Sequence, residues 1–542
     1  MQKEKENVKK SDKILYFVLI TLIVVVFVLF VVHIHATWAA AVNSDDASEL
    51  ILAKKLSDEG GVLSKTWYYS TELRVINTQL VFAPLFSLTD NWHTVRVAGA
   101  AILLALLALS AVLLARALRL GRVGTALLVL TVLTPFSQQY YCFVLLRSYY
   151  IPHIVISFVT LAAVFTLPRL REQRRRGAWL LLNAAVSLLA LMAGLGGPRQ
   201  VLVLYMPLLL AALAQTAAEW RLGATVEERG RVSGWTAQLL GESALQMLFT
   251  GIGFLINSLL LKKEYEFLTW GNIRFASFSL ERLEDVFNGF LAVFGYTAER
   301  ELFSLTLVEN TVSILTVLVL LVALVDTQRD PDAGREHKAM AAVFLSSVTV
   351  ISTLYCFSDM EYADRYSIPI LVFAFPVIVS WLQRKAAGGL LRAERAAIAL
   401  GLALFLAVGL TNYKTLKRGG MSEQERLAQT LCEQGCRHGY ATFWNANLLT
   451  ELSNGELEMW IWYDLFPEYG DTNVIHHWLQ STDHMTPPEG EVFCVFSAEQ
   501  WEMPAVKRLE GAELLYESDS YRAYRFPTYA AIADHMAARS GA

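Results

Sequence analysis

Five cysteines in 542 residues are too few for a disulfide framework. Cys142 and Cys356 stand beside long apolar runs and Cys494 in a strand-like run, so all three read as apolar filling. Cys432 and Cys436 lie four apart on an expected helix, a spacing that either closes a strained local disulfide or carries no meaning. A dominant charge is also lacking. The net charge is −4, and the basic residues sit at the ends of apolar runs rather than in one patch, which argues against nucleic-acid binding. The C-terminal segment from about residue 414 has no Walker or dinucleotide glycine loop and no metal-spaced cysteine pair, and no low-complexity segment is evident in the chain. The internal repeat that marks many secondary transporters is missing too. The Lys-rich start, Met1 to Lys13, resembles the head of a signal peptide. The apolar run behind it is too long to be cleaved and more runs follow, so it reads as a signal anchor.

What the chain has is apolar length. Mean hydropathy is +0.39 and 54% of residues are hydrophobic, gathered in runs, which places the chain in membranes. A helix needs roughly twenty apolar residues to cross a bilayer. By that ruler about eleven spans are expected, near 14–35, 94–117, 122–139, 151–168, 177–195, 200–217, 237–260, 310–327, 338–357, 367–383 and 395–412. Basic clusters at Arg116 to Arg122, Arg169 to Arg176, Arg221 to Arg231, Arg329 to Lys338 and Arg384 to Arg395 all fall inside if the N-terminus is inside. The expectation is a multi-pass plasma-membrane protein with a cytoplasmic N-terminus. Loops 37–93, 140–150, 196–199, 262–309 and 357–366 and the C-terminal segment would then lie outside.

From about residue 414 the runs shorten to strand length. Gly439 to Trp444, Glu456 to Tyr463, Val492 to Phe496 and two strands through Tyr516 and Tyr521 to Arg525 alternate with helices to Leu452 and around Glu499 to Leu509. The expected fold class is therefore an α-helical polytopic membrane protein with a C-terminal extracytoplasmic α/β domain. Residues 1–413 form the multi-span domain, with outer loops 37–93 and 262–309, and 414–542 form the α/β domain.

The chemistry-bearing residues lie in the outer loops. Directly after the first run comes Asn43-Ser-Asp-Asp-Ala-Ser-Glu49, with Asp45, Asp46 and Glu49 in five residues. Carboxylates are too costly to leave in lipid. Paired and partly buried, they raise each other's pKa toward general-base work, and the same pair has the chemistry to ligate a divalent ion. The plain alternative is a helix start, with Ser44 or Asp45 as cap. The rest of this loop reads as a short amphipathic helix on the membrane and a second helix returning to it. Arg199 follows a Gly-Leu-Gly-Gly-Pro break, where irregular backbone at membrane depth suits a cavity wall. Arg365 in Glu361-Tyr-Ala-Asp-Arg-Tyr366 and Arg147 in Leu145-Leu-Arg-Ser-Tyr-Tyr150 approach the same outer side. Three planar guanidinium groups suit a phosphate; singly, each reads equally as a lipid-headgroup contact. Acceptor-contacting or lid roles fall to His153, Trp270 and Arg274.

This pattern resembles the GT-C superfamily of integral-membrane glycosyltransferases, the protein O-mannosyltransferase and aminoarabinose transferase type. The resemblance rests on the acidic first outer loop at Asp45-Asp46 and Glu49, the Gly-Pro-Arg break at Arg199, Arg365-Tyr366, and the outer C-terminal domain. The Trp-Trp-Asp motif of the oligosaccharyltransferase branch is absent; Trp460-Ile-Trp-Tyr-Asp464 is the nearest match. The resemblance implies inverting transfer of a sugar from a polyprenyl-phosphate donor. Asp45 or Asp46 would be base or metal ligand, and Arg199, Arg365 and Arg147 would hold the phosphate. A flippase or transporter of a lipid-linked glycan, or a non-catalytic scaffold, are the competing expectations.

Overall fold

Long apolar runs become long helices, because only a helix satisfies its own backbone in lipid. In this computed structural model, residues 2–222, 232–267, 274–298, 304–413, 421–462 and 475–538 are described. Among them ten helices are long and apolar enough to cross a membrane, which makes this a multi-pass membrane protein. The expected span at 122–139 departs from the pattern. The helix Arg122–Leu133 stops at Thr134-Pro135, and the segment Gln138–Leu146 leaves it at 80°, so an eleventh crossing exists only as a bent pair. The first helix, Gln2–Ala41, also runs further than the apolar count suggests.

Contacts divide the chain into two units. The first holds Met1–Phe30, Ala101–Leu260 and Trp270–Thr415, and the second Val31–Ala100, Leu261–Thr269 and Leu416–Ala542. The loop after the first helix therefore groups with the C-terminal segment.

In the first unit, helices Arg176–Leu195 and Gly234–Leu259 approach until their backbones touch. A side chain at Gly194 would overlap the Thr250 carbonyl, and one at Gly253 the Leu191 carbonyl. Small residues at such crossings let helices associate in lipid. The same seam carries polar links: Asn183 Nδ2 donates to Glu242 Oε2 at 2.7 Å, and Gln246 Nε2 to Ser187 Oγ at 3.2 Å. Two stretches of π-helix, Tyr141–Leu146 and Val201–Tyr205, interrupt the regular helices. The loop 262–309 contributes the amphipathic helix Leu280–Val293.

Among the described residues the second unit carries eight strands: β1 Trp67–Tyr69, β2 Glu266–Phe267, β3 His438–Thr442, β4 Glu458–Trp462, β5 Gln480–Ser481, β6 Val492–Ser497, β7 Glu513–Glu517 and β8 Tyr521–Phe526. Five of them form a mixed sheet in the order β4-β3-β6-β8-β7, parallel among β4, β3 and β6 and antiparallel beyond. Strand side chains alternate between faces. Ala441, Met459, Ile461, Phe493 and Val495 pack on one face with Leu427, Leu431 and Leu449. Tyr440, Trp460, Trp462, Cys494 and Phe496 pack on the other with Val506, Leu509 and Ile532. Both faces are covered, which explains why these strands read as continuous apolar runs. The helix expected over Glu499 to Leu509 is instead two short pieces, Ala498–Gln500 and Pro504–Lys507, because Pro504 supplies no N–H to continue the first. Cys432 and Cys436 are free thiols, and Cys494 is buried in the sheet as expected.

The helix Ser44–Glu59 corrects a second expectation. It does not lie on a membrane by an apolar face. Leu52 and Leu56 pack with Trp67, Tyr69, Leu73 and Leu479, and the helix rests against Phe443–Leu452. Strand β1 binds β2 and β5 at its flanks, so the remainder of the loop is tied into a small sheet.

Candidate functional site

The acidic helix start comes first. Its cap is Asn43, not Ser44 or Asp45. Asn43 Oδ1 accepts from the Asp46 backbone N–H at 3.0 Å, and Asp46 Oδ2 accepts from the Asn43 N–H at 3.3 Å. This reciprocal box satisfies two backbone donors that a helix start leaves open. It places the fully buried Asp46 carboxylate in a structural role. Glu49, 4% exposed, pairs with Arg74 and accepts from the Thr78 hydroxyl. Asp45, on the first turn between them, is half-buried. The structure thus sorts three carboxylates that are alike in sequence: Asp46 caps, Glu49 is ion-paired, and Asp45 stands at the helix start.

Two buried partners hold this turn in place. Ser44 Oγ donates to the Phe443 carbonyl, and Arg96 Nη2 donates to the Asp46 carbonyl at 2.9 Å. Arg96 and Glu451, 2% and 6% exposed, form a two-pronged ion pair, and Trp38 Nε1 donates to the same Glu451 Oε1 at 2.7 Å. The guanidinium also lies over the Trp38 and Phe82 rings, at 4.4 and 5.0 Å. Sequence reasoning missed this pair. The available signal was an Arg four residues into the helix Trp92–Ala117, where a buried charge demands a partner. Nothing local marks Glu451.

The arginines form a separate constellation in the first unit. The π-helix Tyr141–Leu146 ends directly before Arg147, and the π-helix Val201–Tyr205 begins just after Arg199-Gln200. Such bulges re-aim side chains and recur at functional sites. Ser148, buried, takes the left-handed conformation at φ 63°, which turns the chain between Arg147 and Tyr149. The result is convergence. Arg147 and Arg365 both lie over the Phe143 ring, at 5.4 and 5.7 Å. Arg199 lies 5.3 Å from the Tyr150 ring, and Phe143 and Tyr150 meet edge to face at 6.1 Å. Arg365 also covers Tyr366, which stacks on Tyr355. Three arginines from three parts of the chain thus surround one aromatic cluster, with Arg365 exposed and the other two half-buried.

His153 borders the cluster, 6.1 Å from Tyr150, with Nδ1 3.0 Å from Gln200 Nε2. Arg274 is exposed, and its backbone docks the segment on Asp359, N to Oδ1 at 2.8 Å. Trp270 lies outside the described residues. Beside the cluster is a cavity of about 400 Å³ lined by Arg282, Asp285, Asn288, Tyr355, Tyr362 and acidic residues of the 359–364 loop. Among the described residues no three His, Cys, Asp or Glu side chains are grouped to hold a metal ion.

No protein-family model and no curated protein matches this sequence. Solved structures do match by shape. ArnT from Cupriavidus metallidurans, bound to undecaprenyl phosphate, aligns with a TM-score of 0.53 at 12% identity, over 93% of this chain and 97% of that one. An oligosaccharyltransferase from Archaeoglobus fulgidus, in complex with Zn and sulfate, aligns at 0.48 and 10% identity over 93% and 72%, too loosely to carry an argument. The ArnT likeness concerns the fold, and in fold this chain is GT-C-like, as its sequence led us to expect.

Proposed function

We propose that this protein is a membrane glycosyltransferase that moves a sugar, with inversion, from a polyprenyl-phosphate donor to an acceptor hydroxyl on the outer face of the plasma membrane. The observation that carries the reading is the gathering of Arg147, Arg199 and Arg365 around Phe143 and Tyr150. Guanidinium forks bind phosphate oxygens two at a time, and they stabilise the charge a departing phosphate gains. The GT-C-like fold, and the undecaprenyl phosphate bound by the ArnT of similar fold, support the choice of lipid carrier.

In this reading Asp45 is the base. This residue is half-buried, whereas Asp46, which caps the helix, and Glu49, which pairs with Arg74, are buried and serve to position the turn. As the acceptor oxygen bonds to the anomeric carbon, the bond from that carbon to the phosphate oxygen breaks. The hydroxyl proton passes to Asp45, and the lipid phosphate leaves as a dianion held by the arginines. No step is routed through a metal.

The test uses the full chain in nanodiscs and two readouts, binding of undecaprenyl phosphate and release of that lipid from sugar-bearing donors. Loss of lipid binding in the Arg147→Ala, Arg365→Ala double variant, with normal binding but no sugar release in Asp45→Asn, is the expected outcome. A transporter would keep its transport in Asp45→Asn. A chain that binds no polyprenyl phosphate at all would overturn the carrier reading.

A further inference from the structure

The cavity beside the arginine cluster lies wholly within the first unit. One wall is the polar face of the helix Leu280–Val293, which presents Arg282, Asp285 and Asn288. The opposite wall is the loop carrying Asp359, Glu361, Tyr362 and Asp364, and Tyr355 completes the lining. Its volume, about 400 Å³, is at the small end of ligand sites and suits one or two sugar rings better than a lipid chain.

The chemistry of the lining is more telling than its size. Four carboxylic side chains face one guanidinium. Carboxylates accept hydrogen bonds and hydroxyls donate them, so a polyol satisfies this lining, whereas a phosphate or carboxylate meets repulsion. Arg282 Nη1 is buried without a hydrogen-bond partner among the described residues, which leaves a donor for a ligand oxygen. Tyr362 is fixed by packing. A side chain at Gly289 would overlap its ring, and its hydroxyl lies 2.5 Å from Ser367 Oγ. Burial pushes that phenol up to about 12, so it keeps its proton at neutral pH.

The cavity also adjoins the arginines through named contacts. Tyr355, in its lining, stacks on Tyr366 with centroids 5.5 Å apart, and Arg365 covers Tyr366 at 5.3 Å. Asp364, also in the lining, is the residue before Arg365 and accepts from Gln139 Nε2 at 3.3 Å. A molecule with a phosphate joined to a sugar would span this step, anion on the arginines and hydroxyls in the acidic cavity. We infer that the cavity formed by Arg282, Asp285, Asn288, Glu361 and Tyr362 is the subsite for the sugar of the donor, and that it selects an uncharged or cationic sugar over an anionic one. This inference rests on the lipid-phosphate reading above.

The experiment compares undecaprenyl phosphate, bare or bearing glucose, mannose, glucosamine or galacturonate, for binding to the full chain in nanodiscs. The proteins are the wild type and the Asp285→Asn, Glu361→Gln double variant; both positions are exposed, so folding is spared. At least one uncharged or cationic sugar should tighten wild-type binding by roughly tenfold over the bare lipid, while galacturonate adds nothing. The double variant should bind bare lipid as the wild type does, lose the gain from the favoured sugar and accept galacturonate. If bare lipid binds but no sugar changes the affinity, or the double variant keeps the wild-type preference, the subsite is overturned and the carrier reading stands. If bare lipid does not bind the wild type, both fall.

Discussion

Arg96 and Glu451 are 355 residues apart in sequence and make a buried two-pronged ion pair, with Arg96 Nε 3.1 Å and Nη2 2.8 Å from the two Glu451 oxygens. Through its contact with the Asp46 carbonyl, the pair ties the start of the acidic helix to the segment after β3. Removing one partner strands the other charge out of water. Glu451→Ala or Arg96→Ala should therefore destabilise the second unit by about 3–5 kcal/mol. Replacing both by apolar residues of similar size should cost clearly less. Thermal unfolding of the three variants in detergent checks this, and a double-variant loss equal to the sum of the two single losses would show that the pair does not act as a unit.

The two adjacent aspartates should separate cleanly. Asp46→Ala removes one arm of the capping box and should cost about 1 kcal/mol of stability while leaving part of the activity. Asp45→Asn should lower sugar release by roughly 10²–10⁴-fold, the usual share of a general base. The reverse pattern would transfer the base role to Asp46.

Arg147→Ala and Arg365→Ala should each weaken binding of undecaprenyl phosphate by roughly 10–100-fold, the equivalent of one charge-assisted hydrogen bond. Lysine at either place should recover part of the loss, since it keeps the charge but not the planar fork. Unchanged binding in both variants would make these arginines headgroup contacts.

Helix contact in the first unit depends on two glycines. Gly253→Ala should push the helices Arg176–Leu195 and Gly234–Leu259 apart, at a cost of about 1–3 kcal/mol. Gly251→Ala, with open space beside it, serves as the control and should be close to neutral. Parallel melting curves of the two variants decide the matter.

Acid should loosen the second unit. Burial, and next the neighbouring His477, hold the His476 imidazole down at about 4, below the ordinary 6.5. Between those values the unfolded chain binds a proton that the folded one does not, so stability falls as pH drops from about 6.5 to about 4. Glu458 acts in the same direction. Its hydrogen bond from His484 holds its carboxyl below the usual value, and that contribution vanishes as pH falls through the lowered pKa. His476→Gln should flatten the slope of unfolding free energy over this window, measured by denaturant melts at several pH values.

Legibility in the sequence followed locality. The apolar runs at 94–117, 177–195 and 395–412 became helices close to those bounds, because length and hydropathy alone decide a membrane helix. The strand at Val492 was equally readable, since a short apolar run bounded by turns has one local solution. The helix Ser44–Glu59 was readable as a helix but not in its placement. Its burial depends on Leu479 and Phe443, which come from distant parts of the chain. The arginines were named from helix breaks, but the aromatic cluster of Phe143 and Tyr150 that joins them was not, because ring contacts between separate helices leave no period in the sequence.

The sequence by itself determined the membrane helices, the strand-bearing C-terminal region and the set of residues able to do chemistry, since these follow from local hydropathy, period and side-chain type. Tertiary structure decided which carboxylate is bound up in a cap and which stands at the helix start, and which arginines meet. Each of those outcomes depends on contacts between segments far apart in the chain, whose cost and benefit appear only when both partners are buried together.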